Sequence, residues 1–60
     1  MNAHYIGMKA FTITKVCMVG RVRLNGEVLE VFSRLSPIRK GEMVKVVGVY
    51  MNQLIVEPTD

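Results

Sequence analysis

Apolar and polar positions alternate most cleanly toward the C-terminal end of the chain. Val44 and Val46 flank Lys45, and Leu54 and Val56 flank Ile55 between the polar Gln53 and Glu57. A short polar break, Met51-Asn52-Gln53, separates the two runs. A period of two carried by β-branched residues predicts two half-buried strands, over 43–50 and 53–57, joined by a tight turn. Within the first, Val46-Val47-Gly48 interrupts the alternation, which predicts a bulge where a coiled strand turns a corner.

Upstream, Met8 to Val19 reads MKAFTITKVCMV and divides into two rows, both partly apolar. Thr, Ile, Val and Phe dominate, so a strand over 8–18 fits better than a helix crowded with β-branched residues. Gly20 then predicts a bend before a strand over 20–25, in which Arg21 and Arg23 face out and Val22 and Leu24 face in. Asn25-Gly26 is the strongest short hairpin signal, since a type I′ turn needs positive φ at both central positions. The returning run EVLEVFS predicts a strand over 27–34. Its alternation is imperfect, and a helical face of Val28, Leu29 and Phe32 is the alternative. A loop from Arg34 to Gly41 carries one apolar plug, Ile38. Residues 1–7 read as a flexible lead-in and residues 8–60 as one domain. Five short strands with glycines at the bends suit a small all-β closed barrel, which leaves no sheet edge bare.

Composition narrows the function classes. Sixty residues, half of them apolar, lie near the lower limit for an independent core, so stability is expected to lean on a partner, a second copy or a neighbouring domain. The single cysteine, Cys17, excludes an intramolecular disulfide and favours a reducing compartment. No apolar run reaches the roughly 18 to 20 residues of a membrane-spanning helix, and no signal-peptide pattern opens the chain. The charge of +3 is mild, and the basic residues are spread singly apart from Arg39-Lys40.

The runs Gly20-Arg21-Val22-Arg23-Leu24-Asn25-Gly26-Glu27-Val28, Ile38-Arg39-Lys40-Gly41-Glu42-Met43-Val44-Lys45-Val46-Val47 and Asn52-Gln53-Leu54-Ile55-Val56-Glu57-Pro58 together resemble the NfeD-like C-terminal soluble domain. The resemblance spans about residues 10 to 58 and rests on structural glycines and strand hydrophobics. Met18 and Ala10 stand where the family usually has a proline and a glycine. The resemblance implies a five-stranded OB-fold barrel. It further implies a domain that usually hangs from a membrane segment, in some longer relatives beside a serine-protease domain. Its implied partners are stomatin- and flotillin-like membrane scaffolds. The chain is then an excised domain or a stand-alone short relative that meets a membrane only through a missing or neighbouring segment; the expected location is the cytoplasm or the membrane surface, and the side of the membrane stays open.

Candidate chemistry is sparse. His4 and Cys17 have no motif that would place them together as a nucleophile pair, and two residues cannot make a four-ligand zinc site. Cys17 reads instead as a small buried hydrophobe. Ser33 and Ser36 have Arg34 and Arg39 nearby but no base, and no catalytic, cofactor or metal site is assigned. Arg39-Lys40-Gly41 could cradle a phosphate, although a basic turn before a strand is the commoner reading. An OB-fold can also bind single-stranded nucleic acid by stacking and phosphate tracking. Arg21, Arg23, Lys45 and Tyr50 would supply that surface, but aromatic residues are few, and Phe11 and Phe32 are expected in the core. Spare apolar residues such as Val19, Leu29, Leu35 and Ile55 favour protein–protein contact, by docking or self-association into a homo-oligomer. The expected role is a non-catalytic interaction domain.

Overall fold

The computed structural model describes residues 3–35 and 37–59. Five strands, β1 (Lys9–Thr12), β2 (Val19–Leu24), β3 (Glu27–Phe32), β4 (Met43–Tyr50) and β5 (Gln53–Pro58), follow a short 3-10 turn at Ala3–Tyr5. They close into a barrel in the order β1-β2-β3-β5-β4, with β4 pairing back onto β1. All neighbours are antiparallel except β3 and β5. This is the closed five-stranded barrel expected from the alternating strands, in the OB-fold arrangement that the family resemblance implies.

Alternation decides what fills the barrel. Ala10, Val22, Leu24, Val31, Val44, Val46, Leu54 and Val56 point inward and are buried, and Val16 and Ile38 join them from the connections. Ten small or branched side chains suit so narrow an interior. Phe11 and Phe32 do not share it. Phe11 is 52% exposed and Phe32 is half-buried on the outer face. Ala10 and Thr12 take the inward slots of β1, which leaves Phe11 only the outward slot between them.

The two hairpins form as patterned. Asn25 and Gly26 both have positive φ, 51° and 81°, and join β2 to β3. Met51 and Asn52 do the same between β4 and β5, at 49° and 66°. In β4 the register slips between Val46 and Gly48, so Val47 is the extra residue of a bulge. The bulge changes the strand's parity and lets Val46 and Val49 both turn toward the core, three residues apart.

The first connection departs from the expected single strand 8–18. β1 stops at Thr12 because the chain must reverse to pair with itself as β2. The Ile13 N–H donates to Arg21 O (2.9 Å), and the Thr14 hydroxyl then accepts the Arg21 N–H (3.1 Å) in place of a backbone carbonyl. Val16 crosses to the β3–β4 loop and exchanges two backbone hydrogen bonds with Ile38 (2.8 and 2.9 Å). The reversal falls at Met18, which takes φ 70°, and not at Gly20. Cys17, set on this corner, is exposed and not the buried hydrophobe expected.

The β3–β4 loop is anchored to the end of β1. Buried Thr12 donates its hydroxyl to Arg39 O (2.7 Å) and accepts the Glu42 N–H (3.0 Å). Its carbonyl accepts the Gly41 N–H (2.8 Å), and its own N–H donates to Glu42 O (2.9 Å). At the N-terminal side, Tyr5 packs on the core and donates its hydroxyl to Glu27 (2.8 Å). Gly7 N–H donates to Val46 O (2.8 Å).

Candidate functional site

Because the inward slots are filled by apolar side chains, any site must be built from the outward ones. Cross-strand register arranges these into rows around the barrel. In one row, Val19 of β2 faces Phe32 of β3, Phe32 faces Ile55 of β5, and Ile55 faces Gly48 beside the β4 bulge. Val19 is exposed, Phe32 and Ile55 are half-buried, and Val47 adds a further exposed side chain at the bulge. An apolar band therefore runs across four strands on the outside of the molecule.

The next row is polar. Arg21 faces Glu30, and Glu30 accepts a hydrogen bond from the Gln53 amide (3.2 Å). Gln53 in turn faces Tyr50. Where the two rows meet, Phe32, Arg34, Tyr50, Gln53 and Ile55 line a depression of about 290 Å³. A second depression of about 360 Å³ continues from it, lined by Arg34, Val47, Gly48, Val49, Ile55, Val56 and Glu57. Arg34 and Ile55 border both. Among the described residues no acid pairs with Arg34. A Cβ at Gly48 would come into ordinary contact with Ile55 at 3.7 Å.

The four residues expected to form a nucleic-acid surface are spread around the barrel. Arg21 and Arg23 share β2, with Arg21 facing Glu30 and Arg23 facing Val28 and Phe11. Lys45 lies beyond β1, between Lys9 and Glu57. Tyr50 is reached in the other direction, across β3 and β5, and borders the apolar depression. Two of the three cations thus have an acidic neighbour across the strand, and the aromatic sits with the apolar band.

The other sequence candidates are structural. The amides of Gly41 and Glu42, which a phosphate on the basic turn would need, already donate to the Thr12 carbonyl and hydroxyl. Ser33 is buried, and its hydroxyl accepts the Leu35 N–H (3.1 Å). Ser36 lies outside the described residues. His4 stacks at a tilt on Tyr5, with ring centroids 4.1 Å apart. Cys17 belongs instead to the reversal before β2, where its N–H donates to Val19 O. Among the described residues, no group of three or more His, Cys, Asp or Glu side chains could hold a metal ion. No helix among them is long and apolar enough to cross a membrane.

Sequence reasoning missed Phe32, Arg34 and Val47 as members of one surface. The signal was present as broken alternation: Phe32 and Val47 are apolar residues in outward slots. Arg34 carried no pattern at all, because it follows the end of β3.

Comparisons with known proteins converge on one family. The family model described as NfeD-like C-terminal, partner-binding domain matches residues 2–58. Among solved structures, the C-terminal domain of stomatin operon partner protein 1510-C from Pyrococcus horikoshii superposes with a TM-score of 0.87 at 28% identity, over 95% of this chain and 91% of that one. The soluble domain of a membrane protein implicated in regulation of membrane protease activity, from Corynebacterium glutamicum, gives 0.83 at 25% identity, over 95% of each chain. No protein with a curated description matches the sequence.

Proposed function

From the premise that this chain belongs to the NfeD-like C-terminal, partner-binding domain family, we propose that it is a non-catalytic docking domain for a stomatin- or flotillin-type membrane scaffold. In that role it holds the scaffold, or a protease working beside it, at the cytoplasmic membrane surface. One observation carries the reading: the barrel interior is filled by apolar side chains, while an apolar band lies outside across β2, β3, β5 and β4. A filled interior offers no enclosed place for chemistry, whereas an exterior apolar band bordered by polar residues is the anatomy of a protein interface. The names of the similar structures support the choice of partner: one is a stomatin operon partner, the other is implicated in regulating membrane protease activity.

The test is direct binding between the full chain and a stomatin-type protein of the same genome, by isothermal titration calorimetry. Saturable one-site binding is expected, with a far shallower salt response than phosphate tracking would give, because the contact is largely apolar. Absence of binding to stomatin- and flotillin-type proteins would overturn the reading. So would tight, salt-sensitive binding to single-stranded oligonucleotide, which would move the chain into the nucleic-acid class.

A further inference from the structure

We propose that the groove beside Arg34 is the docking surface, and that its occupant is a protein segment with an acidic side chain next to apolar ones. The proposal rests on the docking role above and specifies where, and to what chemistry, docking occurs.

Three observations support it. First, the depression is bordered by Phe32, Tyr50 and Ile55, and its volume of about 290 Å³ is enough for a large aliphatic or aromatic side chain. Second, among the described residues Arg34 is the only charged one that lines it, and no acid pairs with Arg34 there. A guanidinium beside an apolar wall recognises a carboxylate through two parallel hydrogen bonds, and desolvation by neighbouring apolar groups strengthens the pair. Third, Arg34 also borders the second depression, so the carboxylate falls within the docked segment and apolar side chains lie to either side. That position favours an internal Asp or Glu over a chain terminus. Glu57 stands at the second depression and repels an acid placed there, so the carboxylate is expected on the side of Arg34 that faces the first depression. Tyr and Arg are also among the residue types that dominate interface energetics, and here both line one depression.

The experiment selects a displayed library of random dodecapeptides against the immobilised full chain, then measures enriched peptides by fluorescence anisotropy. Enriched sequences are expected to share an Asp or Glu flanked by apolar residues. Replacing that acid by its amide should weaken binding about tenfold or more, and Arg34→Ala should do the same. Arg34→Lys should recover part of the loss. Backbone amide shifts on binding should centre on Phe32, Gly48, Tyr50 and Ile55. Arg34 is exposed, so its variants should keep the dispersed amide spectrum of the parent, and Tyr50→Ala provides an independent second variant.

No enrichment, enrichment without an acid, or binding unchanged in both Arg34→Ala and Tyr50→Ala would overturn the proposal. Shifts centred on Phe11 and Arg23 would do so as well, and so would self-association abolished by Ile55→Glu, which would make a second copy the occupant. If the stomatin-type protein still binds Arg34→Ala and Tyr50→Ala with undiminished affinity, the groove assignment fails while the docking role stands.

Discussion

Gly20 lies so close to the preceding corner that a Cβ there would stand 2.6 Å from Val16 Cγ2 and 2.9 Å from Val16 Cα. The methyl of Val16 could rotate away, but its Cα belongs to a backbone tied to Ile38 by two hydrogen bonds. Gly20→Ala should therefore destabilise the fold by about 1 to 3 kcal/mol, read from chemical denaturation. Met51 presents the opposite case. It is 78% exposed and holds φ 49°, a region where a side chain such as methionine is strained and asparagine is tolerated. Met51→Asn should raise stability by roughly 0.5 to 1 kcal/mol, an increase of several degrees in Tm for a domain of this size.

Between elements, the decisive ties are polar. Thr12 joins the end of β1 to the loop that carries Ile38 into the core. Thr12→Val keeps the shape but leaves Arg39 O and the Glu42 N–H without that partner. It should cost about 1 to 3 kcal/mol and weaken amide exchange protection first across 39–42. The N-terminal turn is tied to β3 through the Tyr5 hydroxyl, and donation to the Glu27 carboxylate raises the Tyr5 pKa above its ordinary value of 10.0. Partial burial and the Glu27 charge act in the same direction. A raised folded value means the tie is whole below the unfolded pKa and is lost as pH rises through the folded one. Wild type and Tyr5→Phe should therefore differ by a constant amount in Tm up to about pH 10 and converge only as the pH climbs above it. A difference still constant above about pH 10 would show that the hydroxyl contributes nothing.

For the molecule as a whole, closure depends on distant pairings. β1 joins β4 across the length of the chain, and β3 meets β5 in parallel through only two register pairs. Such contacts must overcome loop-closure entropy before they stabilise anything, so refolding should be a single-exponential process on the millisecond-to-second scale. Stopped-flow refolding in microseconds would show a different, locally organised transition state. The same topology explains where docking can occur. A barrel with a radius of gyration of 9.7 Å spends its inward slots on its own core, so recognition of another protein falls to the outward slots.

The four strands after the first, both hairpin turns and the β4 bulge were written in the chain, because a period of two, an Asn-Gly pair and a broken valine run act through neighbouring residues. The family resemblance was legible for the same reason, since its motifs are the glycines and strand hydrophobics that shape the barrel. Only the folded structure decided that Phe11 stays outside, that the first reversal falls at Met18, and that Gly20 serves as a landing place for Val16. The groove likewise exists only after closure. Phe32, Arg34, Tyr50 and Ile55 come from strands and a strand end separated in sequence, and a local pattern records which face a residue takes but not which strand will lie beside it.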